Sequence, residues 1–211
     1  MKTMYRTLAC AGLSTAFILS SFSEASAAIL ADQPVFATSD VPGNLALALS
    51  VEYSTAISVA NLGSYADGTE YLGYFDPRKC YTYQLDTTDA SKSFFISTAP
   101  ATSPSIHQCR GQWSGNFMNW ATMQTIDLFR WALSGGYRSV DGPTATIIEK
   151  AWGSSQGGDN NFPRRGTLQG GGHNLPSSLV DKVTPFSGHE FNTRVYARGN
   201  RMAVAVKEVV A

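Results

Sequence analysis

The sequence predicts a fold of the α/β or α+β class, in which helices and strands share one core. Residues 44–49 form a short, continuously apolar run between turn residues, typical of a strand buried on both faces, although a helix fragment has the same pattern. Residues 113–135 carry apolar side chains at helical i, i+3, i+4 spacing. Residues 191–197 and 202–206 have strand character, and the segment 198–201 between them can turn a hairpin.

The helix at 113–135 has the strongest pattern in the chain. Ser114 or Asn116 can cap its start, and Gly135-Gly136 ends it. Apolar side chains cover most of its circumference, so we expect it to be buried nearly all round. Asp127 and Arg130 stand at i, i+3 and could pair.

The flanking segments are less regular. A second short helix fits residues 143–152, with Pro143 in its first turn. The Ser/Thr/Pro-rich stretch at 97–105 is expected to be a polar loop. Residues 153–180 contain several Gly and Asn residues and predict a long irregular loop, a kind of segment that is functional or disordered in most domains.

Composition limits the function classes. The chain has 211 residues, 43% of them hydrophobic and 15% charged, which is enough apolar material for a core and argues against intrinsic disorder. Lys and Arg number 16, as do Asp and Glu. This balance argues against nucleic acid as a partner, because an electrostatic footprint on nucleic acid needs a basic surplus.

The N-terminus has the pattern of an export signal. Lys2 and Arg6 precede an apolar run at 8–19, and Ala25-Ser-Ala27 supplies the small residues of a cleavage site. We expect residues 1–27 to be a signal peptide that is cleaved before Ala28; the alternative is an N-terminal anchor. The apolar run is too short to span a bilayer, and we expect no transmembrane span after cleavage.

Two cysteines remain after cleavage. Exported chains meet an oxidising compartment, in which Cys80 and Cys109 are expected to form a disulfide. The alternative is a metal-binding or catalytic thiol, which the absence of Cys-x-x-Cys spacing disfavours.

Residues 61–112 are rich in aromatic side chains. Tyr71, Tyr74 and Tyr81 are the candidate ligand-binding aromatics, since rings on exported proteins can bind sugars or peptides. The alternative, which we favour, is that these rings pack around the disulfide.

No motif for catalysis, metal or cofactor is evident. His107, His173 and His189 lack zinc-ligand spacing, and the glycines before His173 are not accompanied by a nucleophile elbow. Three turns contain side-chain oxygens that could bind calcium, at 67–70, 86–89 and 159–161. None of them has the spacing of an EF-hand loop. We therefore predict no catalytic residue, no metal and no cofactor; a hydrolase that uses His173 is a weaker alternative.

Three separated strings resemble one family. They begin at Tyr71, Gly111 and Ile126, and they include Tyr71-Leu-Gly-Tyr-Phe-Asp-Pro, Gly115-Asn-Phe-Met-Asn-Trp-Ala-Thr-Met123 and Ile126-Asp-Leu-Phe-Arg-Trp. Together they resemble the N-terminal region of the PilC/PilY family, the tip-associated adhesins and assembly factors of bacterial type IV pili. The resemblance covers most of residues 30–205.

The resemblance implies a von Willebrand factor A-like domain, here incomplete and with long loop and β-hairpin insertions, over residues 28–211. Residues 44–49 would be its first central strand. Many family members place Asp-x-Ser-x-Ser metal ligands after that strand, whereas this chain has Ser50, Glu52 and Ser54 there, so we expect no metal. Because family members are several times longer, we expect the chain to be an N-terminal fragment, a truncated gene product or a reduced paralogue.

The resemblance therefore implies a non-enzymatic, exported component of type IV pilus biogenesis or of the pilus tip. Its expected location is the periplasm, the outer membrane or the pilus tip. Its expected partners are minor pilus subunits or other assembly proteins, with a host-surface receptor as a further candidate. The alternative is a stand-alone secreted module that binds glycan or peptide.

Overall fold

The structure is a computed structural model of the chain. It describes residues 46, 53–103, 105–154, 161–168, 174–187, 190–196 and 198–207. The chain divides into two units, Met1–Ala48 and Leu49–Ala211, and every element named below lies in the second. The predicted signal peptide lies outside the described residues, as does the predicted strand at 44–49 apart from the exposed Ala46.

Helices and strands alternate irregularly along the described residues. The helices are α1 (Tyr53–Ile57), α2 (Gly115–Thr122), α3 (Thr125–Ser134) and α4 (Val180–Val183). The strands are β1 (Lys79–Gln84), β2 (Phe94–Pro100), β3 (Trp113–Ser114), β4 (Tyr137–Asp141), β5 (Thr146–Glu149), β6 (Gly153–Ser154), β7 (Arg165–Gly166), β8 (Glu190–Val195), β9 (Arg198–Gly199) and β10 (Met202–Lys207). Single 3-10 turns lie at Ala90–Lys92 and Ser177–Leu179. The predicted mixture of helix and strand is confirmed.

The first sheet has the strand order β2-β1-β3. β1 pairs antiparallel with β2 from Lys79↔Pro100 to Gln84↔Phe94, with a bulge between Cys80 and Tyr81. The expectation of a loop at 97–105 is wrong for its first four residues, which belong to β2. As the edge strand, β2 is mostly exposed, and polar side chains such as Ser97 are compatible with that position.

The second sheet has the order β10-β8-β7. β8 and β10 pair antiparallel from Met202↔Val195 to Lys207↔Glu190, which confirms the predicted hairpin. Alternate residues of β8 are buried, in agreement with the two-residue period of a strand that has one face on the core.

The predicted helix at 143–152 is wrong, because β5 occupies this segment and pairs with β4. The backbone N–H of Gly142 donates to the carbonyl of Ala145 at 3.0 Å, which closes a turn around Pro143. The β-branched residues Thr146, Ile147 and Ile148 follow, and such residues favour a strand over a helix.

The long predicted helix is two helices. Met123 (φ −75°, ψ 132°) and Gln124 (φ −106°, ψ 163°) are extended and separate α2 from α3. A capping box starts α3, since the side chains of Gln124 and Asp127 each bond the other residue's backbone N–H. The predicted boundaries are confirmed: Ser114 caps α2, and Gly135 ends α3 in the left-handed conformation (φ 74°).

Burial differs between the two helices. All eight residues of α2 are buried, as predicted for the whole segment. In α3 only Ile126 and Asp127 are buried, and its apolar side chains Phe129, Trp131 and Leu133 are exposed, so the prediction of all-round burial is wrong there.

The core of the described residues is built around α2. Phe117 and Trp120 are fully buried and lie against Tyr65 with ring centroids 5.6 and 5.5 Å away. Other core members come from α2 itself, from α4, from the two three-stranded sheets and from the loops; they include Tyr71, Trp113, Met118, Leu175, Val180, Val183 and Phe191. Within the predicted loop at 153–180, the described parts contain β6, β7 and the start of α4. Among the described residues, no helix has the length and apolar content needed to cross a bilayer.

Candidate functional site

A disulfide joins Cys80 in β1 to Cys109 in the loop before β3, with a Cα–Cα distance of 5.5 Å. Both cysteines are buried. The predicted bridge is therefore present in the structure. The bridge closes a loop between residues 29 apart in sequence, and this loop ends shortly before α2. Such a cross-link stabilises a fold chiefly by restricting the unfolded chain.

Two asparagines of α2 hold the loop that carries the candidate tyrosines. Asn116 accepts from the backbone N–H of Tyr71 at 2.8 Å and donates to the carbonyl of Thr69 at 2.7 Å. Asn119 accepts from the N–H of Phe75 at 3.0 Å and donates to the carbonyls of Tyr71 and Phe75 at 2.9 and 2.8 Å. Both amides are fully buried.

Sequence reasoning assigned no role to this amide pair. The available signal was the i, i+3 spacing of Asn116 and Asn119 inside an otherwise apolar helix. A buried amide in such a position needs hydrogen-bond partners, and only a neighbouring loop with free backbone groups can supply this many.

Tyr71 is a member of the core. Its ring stacks on Tyr65 with centroids 5.5 Å apart. Its hydroxyl donates to the carbonyl of Ser64 at 3.2 Å and accepts from the N–H of Ala66 at 3.0 Å. The side chain therefore joins two parts of the loop.

Tyr81 is partly buried on β1. Its hydroxyl accepts from the N–H of Asp76 at 2.9 Å, and its ring meets Phe75 edge-on at 5.0 Å. Burial raises the pKa of this phenol above its ordinary value. Gly115 lies underneath, where an added Cβ would collide with the Asp76 carbonyl and approach the Tyr81 ring.

Tyr74 differs from the other two. It is half-buried, and among the described residues its hydroxyl has no hydrogen-bond partner. Burial, and after it the negative charge of Asp127, raise the pKa of this phenol. The three candidate tyrosines thus occupy different environments, two of them tied to backbone groups of one loop. Ligand binding by Tyr71, Tyr74 and Tyr81 stays a prediction.

Arg165 of β7 is fully buried. Its guanidinium lies 4.4 Å from the ring centroid of Trp120 and donates to the carbonyls of Trp120 and Asn61. Burial lowers the pKa of this arginine to about 10. A π face and carbonyl dipoles thus compensate a cation that has no carboxylate partner in the described part of the chain.

The pairing of Asp127 also departs from expectation. The buried carboxylate binds Lys150 at 2.7 Å and accepts from the N–H of Ala151 at 2.8 Å, so the ion pair predicted with Arg130 is replaced by one with Lys150. Burial lowers the pKa of Lys150, against the opposing effect of Asp127. This pair attaches the segment after β5 to the start of α3.

The other candidate groups belong to turns or lie outside the described residues. Asp86 accepts from Thr88 and Asp89, and these bonds lower its carboxyl pKa. Among the described residues no cluster of three or more His, Cys, Asp or Glu side chains could hold a metal ion. Ser50, Glu52, His173, His189 and the segment 155–160 lie outside the described residues; Ser54 is exposed on α1.

His107 is the described histidine. It is buried, and its Nδ1 lies 2.6 Å from the carbonyl of Asp67, to which it donates. Its Nε2 lies 3.9 Å from Glu70. The ring therefore fixes the loop before the disulfide, as its backbone N–H also does by donating to Asp67.

Taken residue by residue, the buried polar groups hold loops against α2 and α3. Most of the hydrogen bonds that these buried side chains make are directed to backbone groups.

Comparison with known families identifies the class of protein. Residues 63–196 match the family described as "PilY1 homolog, small alpha/beta domain". The chain belongs to the PilY1 family, and the small α/β domain of that description agrees with the mixture of helices and sheets above.

Two relatives come from Xylella fastidiosa strain Temecula1, and each is named a type IV pilus biogenesis factor PilY1 homolog. One is 42% identical over 176 residues, which cover 82% of this chain and 14% of the relative. The other is 33% identical over 94 residues, or 44% of this chain and 6% of the relative. The chain thus spans a small part of the length of these relatives. No solved structure matches it.

Proposed function

We propose that this chain acts in type IV pilus biogenesis as an exported, non-enzymatic component. The observation that carries the proposal is the 42% identity over 82% of the chain to a relative named a type IV pilus biogenesis factor. The family match over residues 63–196 agrees with it.

Export is part of the proposal. Residues 1–27 act as a cleaved signal peptide, and the product resides in the periplasm, at the outer membrane or at the pilus tip. The disulfide between Cys80 and Cys109 supports this location, because such bridges persist in oxidising compartments.

The described domain works by recognition. Its partners are minor pilus subunits or other assembly proteins, and a host-surface receptor is a further partner at the tip. The α/β domain is part of a von Willebrand factor A-like region, as the resemblance of the Gly115–Met123 string implies.

Deletion and complementation test the role in pili. We expect a strain lacking the gene to show fewer surface pili by electron microscopy and less surface motility. The full chain should restore both, whereas a matched version that lacks residues 2–27 should restore neither. Normal piliation and motility in the deletion strain would overturn the proposal.

Location and partners are tested on the same strains. N-terminal sequencing of the mature product should begin at Ala28, and in-cell cross-linking should recover minor pilus subunits. A product found in the cytoplasm with its leader intact, or cross-links confined to cytoplasmic proteins, would refute export.

A further inference from the structure

A groove with a volume of about 770 Å³ lies between the end of α3 and the β4–β5 hairpin. Its lining includes Arg130, Ser134, Tyr137, Arg138, Glu149 and Trp152. The groove is open to solvent, and its lining combines two aromatic rings with charged and hydroxyl groups.

The two rings are the most exposed aromatic side chains among the described residues. Trp152 is 66% exposed and Tyr137 is 56% exposed. Removing such rings from water would be favourable, so large aromatics left exposed beside a groove indicate a surface that something covers.

Trp152 is also held in place. Its indole N–H donates to the carboxylate of Glu149, and the side chain of Asn200 donates to the same oxygen at 2.7 Å. These bonds connect the hairpin to the turn after β9 and fix the ring orientation before any ligand arrives.

The charged lining consists of Arg130, Arg138 and Glu149. Arg138 is also paired at 3.1 Å with Asp141, which lies beside the lining, so these four charges sum to zero. The groove also lies at the C-terminal end of α3, where the helix dipole disfavours an anion. The lining therefore offers hydrogen-bond donors on the arginines, acceptors on Glu149 and flat apolar faces, without a net charge to attract a strongly ionic ligand.

We propose that this groove binds a neutral oligosaccharide, with Tyr137 and Trp152 packing on the apolar faces of sugar rings and Arg130 and Glu149 hydrogen-bonding to hydroxyls. Sugars combine these properties: each ring has apolar C–H faces and hydroxyls that both donate and accept. The inference does not depend on the role proposed in pili.

Isothermal titration of the mature exported chain tests the site with four probes: cellotetraose, chitotetraose, lacto-N-tetraose and the anionic 3′-sialyllactose. The three neutral probes separate plant-wall, amino-sugar and host-type sources. We expect a neutral probe to bind more tightly than sialyllactose. Trp152→Ala and Tyr137→Ala should each weaken that binding by about tenfold, since each removes an aromatic contact.

The matched control is Tyr83→Ala on β1, an aromatic that is 48% exposed outside the groove. It should leave binding unchanged, and circular dichroism should show that all three variants are folded. The proposal is overturned if no neutral probe binds at about 1 mM, a concentration that detects affinities near −4 kcal/mol. It is equally overturned if sialyllactose binds best, or if a folded Trp152→Ala variant binds as well as the parent chain.

Discussion

The side chain of Asn119 bonds to the backbone of Phe75 as a neighbouring β-strand would, accepting from its N–H at 3.0 Å and donating to its carbonyl at 2.8 Å. One helix residue thus satisfies both backbone groups of a loop residue. The loop that carries Tyr71 and Tyr74 is consequently ordered by α2 and lies outside the strands of the sheets.

Asn119→Ala should destabilise the domain by about 2–3 kcal/mol, because it leaves buried backbone groups of Tyr71 and Phe75 without partners. Urea unfolding followed by circular dichroism measures the change. Gln84→Ala removes an exposed amide and is the control, with an expected change within about 0.5 kcal/mol. Equal stability of the two variants would contradict the importance of the buried amide.

Arg165→Lys should destabilise the domain by about 1–3 kcal/mol even though the charge is kept. The ammonium cannot bond the carbonyls of Trp120 and Asn61 in the same forked geometry, and it stacks less well on the indole. A matched Arg138→Lys change, in an exposed side chain, should be nearly neutral. Denaturant midpoints compare them, and a neutral Arg165→Lys would show that charge alone suffices at this site.

Gly115→Ala should be strongly destabilising, because the added Cβ would collide with the carbonyl of Asp76 at the start of α2. Gly142→Ala is the control, since its Cβ would lie 3.8 Å from the nearest atom, the carbonyl of Ala145. Thermal unfolding should give a clearly lower midpoint for Gly115→Ala and a midpoint near that of the parent chain for Gly142→Ala. Similar midpoints would show that the loop at Asp76 yields easily.

Replacing both Cys80 and Cys109 with Ser should cost about 3–4 kcal/mol, as expected for a bridge between residues 29 apart in sequence. The double variant avoids an unpaired thiol. Urea unfolding measures the loss, and mass mapping without reductant should find the two cysteines linked in the exported parent chain. Two alkylatable thiols in that chain would refute the bridge.

Alkaline pH should destabilise the domain through Tyr65. Burial raises the pKa of this phenol above its ordinary value of 10.0, so the folded chain keeps a proton that the unfolded chain releases. The stability contributed by this difference is complete below about pH 10 and is lost as the pH rises further. Stability curves in urea between about pH 8 and 11 measure the slope.

Tyr65→Phe is the control for this effect. It keeps the ring that packs against Phe117 and Trp120 and removes the titrating hydroxyl. The variant should be close to the parent chain at pH 7 and lose less stability above pH 10. An unchanged alkaline slope would assign the effect to other groups.

The sequence predicted those elements that are determined by residues close together in the chain. The β8–β10 hairpin, the cap at Ser114 and the end of α3 at Gly135 follow from alternation and from residues with special backbone preferences. The break at Met123 and Gln124 was missed because an apolar run gives no sign of where a second capping box will form. Apolar spacing likewise could not reveal the exposure of α3, since burial depends on what packs against each face.

The candidate site was predictable to a similar extent. The disulfide followed from two cysteines and an export signal. The amide pair on α2, the Lys150 partner of Asp127 and the Tyr137–Trp152 groove depend on contacts between segments far apart in sequence. Such contacts need the tertiary fold.

The bridge between Cys80 and Cys109 has a mechanical consequence. When tension is applied at the two ends of the chain, the residues between the cysteines cannot be drawn out, because the covalent link carries the load past them. Without the bridge, the segment between the cysteines, which are 29 residues apart, could extend by about 100 Å. With the bridge, this segment stays short even after the neighbouring strands have separated.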